Sequence, residues 1–74
     1  MTRTDIAKEL RRYTGAGTVT VTQLAGFLGH KNNTRVKNRY LRDDPDSEVP
    51  IMRAIGGNRY LITDVAIRLM EDAR

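Results

Sequence analysis

From Lys31 to Arg42 the chain carries Lys31, Arg35, Lys37, Arg39 and Arg42 with no acid among them, and Thr34 and Asn38 stand between these bases. Guanidinium and carboxamide groups present paired, planar hydrogen-bonding atoms, the arrangement that reads guanine and adenine edges, so Arg35 and Asn38 are the candidates for base readout. Lys31, Lys37 and Arg42 suit phosphate oxygens, where charge matters more than a fixed fork. Thr34 and Arg39 are secondary candidates, because a register shift of one residue turns a helical face by about 100°. Directly afterwards the sign inverts: residues 43–50 hold Asp43, Asp44, Asp46 and Glu48 and no base. These types at these spacings point to recognition of a polyanion by a concentrated basic face.

Other chemistries have little to work with. Nucleophilic or acid-base catalysis needs groups of which this chain has only His30, Ser47 and no Cys, so a non-enzymatic protein is expected. His30 lies in LGHKNN without a second His or Cys at ligand spacing, and neither a metal site nor a cofactor is expected. The alternation of Asp44, Asp46 and Glu48 mimics a calcium loop, but the sixth position is Val49 and the twelfth Ile55, where Gly and Glu are required. Gly15 and Gly17 in TGAGT lack the Gly-Lys-Ser/Thr continuation of a phosphate loop and read as a helix end.

At 74 residues and 8.4 kDa the chain makes one small domain, with 13 Lys and Arg against 9 Asp and Glu, a net charge of +4 and a pI near 10.0. That balance favours a polyanionic partner. Without cysteine there is no disulfide framework, and a cytoplasmic protein is expected. No apolar run approaches the roughly 20 residues that span a bilayer, and MTRTDIAKELRR offers no stretch for a signal peptide; no membrane partner is expected.

The elements that must position the basic face follow from pattern. Residues 1–16 form an N-terminal helix, about 3–14, with a Thr2–Asp5 capping box, a stripe of Ile6, Ala7, Leu10 and Tyr13, and Gly15 as its stop. Residues 18–42 begin with a strand, Thr18 to Thr22, whose Val19 and Val21 point inward. Thr22 then caps a helix carrying Leu24, Ala25, Phe27 and Leu28 and ending at Gly29, and Asn32 or Asn33 caps a second helix reaching Arg42. On that helix Val36 and Tyr40 lie about 40° apart on the core side, with Leu41 at its edge, while Thr34, Arg35, Asn38 and Arg42 fall together opposite. An acidic loop at 43–50 leads to a hairpin over 51–62 around Gly56, Gly57 and Asn58, with Arg53 and Arg59 near its tip. Residues 63–74 close as a helix capped by Thr63, with Val65, Ala66, Leu69, Met70 and Ala73 as its core stripe.

Helix, short strand, helix-turn-helix, hairpin, helix is the order of a winged helix with one additional N-terminal helix. The expected fold class is α+β, a small winged helix-turn-helix with a β-hairpin wing. The segments VTQLAGFLG, NTRVKNRYLRD and VPIMRAIGGNRYLITDVAIRLMED resemble the pattern of phage and transposon excisionases, the recombination directionality factors, and more broadly MerR-like DNA-binding domains. The resemblance covers about residues 19–72, and its most telling part is the hairpin running directly into the last helix. It departs in lacking the Trp common in the family's recognition helix, near whose place stand Arg39 and Tyr40. It implies that residues 33–42 enter a major groove while Gly56, Gly57, Asn58 and Arg59 follow the adjacent minor groove or backbone. Thr22 and Gln23 have two readings, donation to a phosphate and plain capping.

The function so implied is sequence-specific binding and bending of double-stranded DNA near attachment sites, directing an integrase or recombinase toward excision, with self-association on DNA. Two alternatives stay open: a small MerR-like transcriptional regulator, and a protein-interaction module that docks its partner through the acidic loop or the first helix.

Overall fold

The computed structural model of the protein describes residues 2–72. Its elements are α1 (Arg3–Thr14), β1 (Thr18–Thr20), α2 (Val21–Leu28), α3 (Asn33–Tyr40), β2 (Ala54–Ile55), β3 (Arg59–Leu61) and α4 (Ile62–Asp72). The result is an α+β fold of four helices and one three-stranded antiparallel sheet in the order β1-β3-β2. Among the described residues, no helix is long and apolar enough to cross a membrane.

The N-terminal helix forms where the sequence placed it. The Asp5 N–H donates to Thr2 Oγ1 at 3.2 Å, the Thr2 N–H donates to Asp5 Oδ2 at 3.0 Å, and Gly15 closes the helix. Ile6, Ala7 and Leu10 are buried, but Tyr13 leaves the core and bridges to α2. Its ring meets Phe27 edge-on at 5.7 Å, and its hydroxyl lies 2.6 Å from where a Cβ on Gly26 would stand. A Cβ at Gly26 would have to push the exposed Tyr13 ring aside.

Local hydrogen bonding corrects the next boundaries. The strand ends at Thr20 instead of Thr22, and Val21 opens α2, half-buried. Thr20 is the cap because Gln23 stands three residues on and completes the reciprocal pair, at 3.2 Å to Thr20 Oγ1 and 3.0 Å back from the Thr20 N–H. Thr22 has Ala25 at that position and gains no such return. At Gly29 a φ of 75° turns the chain, and after a short connection Asn32 caps α3 by accepting from the Arg35 N–H at 3.2 Å.

The second of these helices stops at Tyr40, short of Arg42, because Leu41 turns into the core with non-helical backbone angles. The hairpin strands are likewise shorter than 51–62. Ile51 is exposed, while Met52 is buried and its N–H donates to Asp43 Oδ1 at 3.2 Å. Ala54 pairs with Tyr60 and Ile55 with Arg59, so Gly56, Gly57 and Asn58 make the turn, and φ values of 64° and 92° require glycine at the first two. β3 passes into α4 without a linker. Ile62, fully buried, opens α4 and donates its N–H to Gly17 O at 3.1 Å, which leaves Thr63 in the first turn and not at the cap. Val65 and Ala66 are buried, Leu69 and Met70 pack half-buried against the core, and Ala73 lies outside the described residues.

One core joins every helix. Leu10, Val19, Leu24, Val36, Ile62 and Val65 are its largest fully buried side chains, and they come from α1, β1, α2, α3 and α4.

Candidate nucleic-acid interface

The third helix buries Val36 and Tyr40, which fixes what its other side must show. Directly opposite stands Asn38, with Thr34 and Arg35 to either side, all exposed. Thr34, Arg35, Asn38 and Arg39, with the cap Asn32, line one open depression of about 470 Å³. Among the described residues the side chains of Arg35 and Asn38 take part in none of the internal pairings that engage their neighbours. Lys37, on the flank, joins Arg39 in placing positive charge over the last turn, where it complements the helix dipole.

Arg39 is placed differently from the sequence reading. Its Nε and Nη2 donate to the two carboxylate oxygens of Asp72 at 3.0 and 3.1 Å, and its guanidinium lies 5.7 Å from the Tyr40 ring centroid. Hydrogen bonding to Asp72 raises the already high pKa of Arg39. The Tyr40 hydroxyl donates to the same carboxylate at 3.3 Å, and burial, followed by the charge of Asp72, holds its pKa above the ordinary phenol value. Arg39 is thus bound within the fold, whereas Arg35 is presented.

The residues around the turn divide similarly. Gln23 caps α2 through its carbonyl oxygen. Thr22 is no cap, and its hydroxyl oxygen accepts from Asn33 Nδ2 at 3.1 Å, tying the start of α2 to the start of α3. Lys31 is exposed in the connection, and Arg42 is exposed just beyond α3. Arg53, Gly56, Gly57, Asn58 and Arg59 are all exposed on the hairpin, and none of them lines the depression on α3.

Sequence reasoning missed the group that holds α3 in place. Arg68 of α4 is 4% exposed; its Nη1 donates to Arg42 O at 2.6 Å and Tyr40 O at 3.4 Å, and its Nε donates to Val49 O at 3.0 Å. Nη2 also bonds Val49 O. The cation therefore caps the carbonyl end of α3, where the helix is electronegative, and fastens the acidic loop in one move. Glu71 completes the anchor by accepting from Ser47 Oγ at 2.6 Å and from the Glu48 N–H at 2.9 Å. Those two bonds, Ser47 first, hold the Glu71 carboxyl below its ordinary value. The loop is tied to α4, and Arg42 contributes its carbonyl to the joint. The sequence signal for Arg68 was faint: a cation beside Leu69 and three residues beyond Val65.

Comparison with protein-family models, with curated proteins and with solved structures finds no match to this chain.

Proposed function

We propose that this protein is a non-enzymatic, sequence-specific binder of double-stranded DNA, built as a winged helix and acting as an excisionase-like accessory factor in the cytoplasm. The observation that carries the reading is the exposed side of α3, a helix with no acid of its own, on which Arg35 and Asn38 stand beside Thr34 with bases flanking them, Asn38 also bordering the depression that holds Asp44, Glu71 and Asp72. α2, a short connection and α3 supply a helix-turn-helix, and the β2–β3 hairpin with its two glycines supplies the wing.

In this reading α3 lies in the major groove. Arg35 donates to guanine O6 and N7, Asn38 pairs with adenine N6 and N7, and Lys31, Lys37 and Arg42 bind phosphates. Arg53 and Arg59 follow the backbone beside the minor groove. The excision role, with an integrase or recombinase as partner, rests on the resemblance of residues 19–72 to excisionases. Bending a duplex costs several kcal/mol, so a protein this small bends it through copies bound side by side.

Salt titration tests the electrostatic part. Five phosphate-binding bases give a log–log slope of affinity against salt of about −4.5. A slope near zero, or affinity for a selected target duplex unchanged in the double variant Arg35→Ala/Asn38→Ala, overturns the proposal.

A further inference from the structure

Between the buried side chains of Met52 and Tyr60 the hairpin leaves the body of the protein, and every residue from Arg53 to Arg59 is exposed. A strand that rests on a core buries one of its faces, but both residues of β2, Ala54 and Ile55, are exposed. The hairpin end is therefore a finger held at its base. Residues 50–62 hold no acid; Arg53 and Arg59 supply two cations, Asn58 supplies an amide, and Gly56 and Gly57 leave most of the turn without side chains. Ile55 is the one large apolar side chain on the finger and is 44% exposed. It pairs with Arg59 across the strands, so the two stand side by side on one face.

We propose that Ile55 is a wedge that enters between two stacked base pairs from the minor groove and kinks the duplex there. The inference rests on the reading of this protein as a binder of double-stranded DNA, and it adds the residue through which each copy bends its site. The finger suits the groove in charge and in reach. Ile55 lies three residues beyond Met52, up to about 10 Å at about 3.3 Å per residue, whereas a minor groove is about 7.5 Å deep. Arg53 and Arg59 are drawn to its negative potential, and Asn58 donates to the acceptors that A·T pairs present there. An isobutyl-sized apolar group gains nothing from phosphates, but between bases it is shielded from water on both sides. Pyrimidine–purine steps unstack most readily, so the wedge selects such a step. Leu61 is the matched comparison. It is 42% exposed on the same face as Arg59, in register with Thr18, and stands about 7 Å behind Ile55 at two residues' rise, too far back to reach the bases. A protein partner laid on this face would cover both side chains, whereas a duplex takes up Ile55 alone.

The test compares the natural protein with Ile55→Thr and Leu61→Thr, which keep a β-branched residue in the strand and are checked for folding by circular dichroism. The probe is a short duplex carrying one copy of a sequence enriched by the natural protein, with dyes at its ends for energy transfer and a fluorescent purine analogue moved along it. Binding of the natural protein should shorten the end-to-end distance and brighten the analogue at one step, the mark of unstacking. Ile55→Thr should lose the brightening and most of the bend at an unchanged salt slope; Leu61→Thr should lose neither, and Ile55→Met should retain both. On random-sequence duplexes the natural protein should prefer one mismatched pair over full pairing by about tenfold or more, because the unstacking is already done, and Ile55→Thr should lose that preference. A bend and brightening equal in Ile55→Thr and the natural protein, or lost alike in Ile55→Thr and Leu61→Thr as a contact between proteins requires, would overturn the wedge. An enriched sequence bound without bend or brightening would overturn it while leaving readout by α3 in place, and failure to bind any duplex would overturn both.

Discussion

Replacing Arg68 should loosen the far end of α3 and the acidic loop together. Its guanidinium is buried against the carbonyls of Tyr40, Arg42 and Val49, with Glu71 at 3.8 Å as the nearest carboxylate. Truncation to alanine removes the cation and strands those carbonyls, and breaking a buried, hydrogen-bonded charge of this kind costs about 3–5 kcal/mol. A chain of 74 residues has about 4–11 kcal/mol in total at the usual stability per residue. Each kcal/mol is worth about 4–8 °C in a domain of this size, so Arg68→Ala should lower Tm by at least about 12 °C or leave the chain unfolded. Arg68→Lys keeps the charge but not the fork, and should fall between the two. Urea and thermal melts by circular dichroism give the stability. Hydrogen exchange on Arg68→Lys should show faster exchange of the Asp44 and Met52 amides, which donate to Pro50 O and Asp43 Oδ1 within the anchored segment. If Arg68→Ala melts within about 1 kcal/mol of the natural protein, the desolvated cap is not what holds this joint. A loss matched in full by Glu71→Gln would assign it to the ion pair instead.

Thr20→Ala should cost about 1 kcal/mol and Thr22→Ala measurably less in urea melts, since Thr20 is the cap of α2; the reverse order would restore the longer strand. Glu71 has its folded pKa depressed below 4.5, so its stabilisation is complete above that value and is lost as pH falls through the lower folded one. The acid limb of the stability profile should therefore flatten below pH 4.5 in Glu71→Gln, and an unchanged limb would contradict the assignment. Asp72→Asn should release Arg39 to phosphate, raising low-salt affinity for random-sequence duplex and steepening the salt slope by about 0.9, read by fluorescence anisotropy. An unaltered slope would mean that Arg39 has no access to the backbone.

Much of this fold is written in local pattern. The cap and stop of α1, the turn at Gly29 and the glycine pair of the hairpin are contacts between residues a few positions apart, and each stands where its spacing put it. Thr20 reads as strand in the sequence and caps α2 in the fold: alternation through Val21 competes with a capping box that begins inside the same run, and the box wins by satisfying two backbone groups. The exposed side of α3 was legible because Val36 and Tyr40 are apolar at helical spacing. What was not legible joins distant residues: Arg39 to Asp72, Glu71 to Ser47 and Glu48, Arg68 to Val49. No periodicity encodes such pairs, which depend on how α4 lies across α3 and the acidic loop. For the same reason Arg39 and Arg35 look equivalent in the sequence and differ in the fold.

The account stands most directly on selection of bound duplexes from a random library at moderate salt, run in parallel with the natural protein and with Arg35→Ala/Asn38→Ala. The natural protein should enrich a defined motif, with tandem copies expected of an excisionase and inverted copies of a dimeric regulator. The variant should lose the guanine and adenine preferences, worth about 1–3 kcal/mol per base, while keeping its salt-dependent affinity. No motif from the natural protein, or the same motif from both, would contradict the claim that α3 reads DNA through these two side chains.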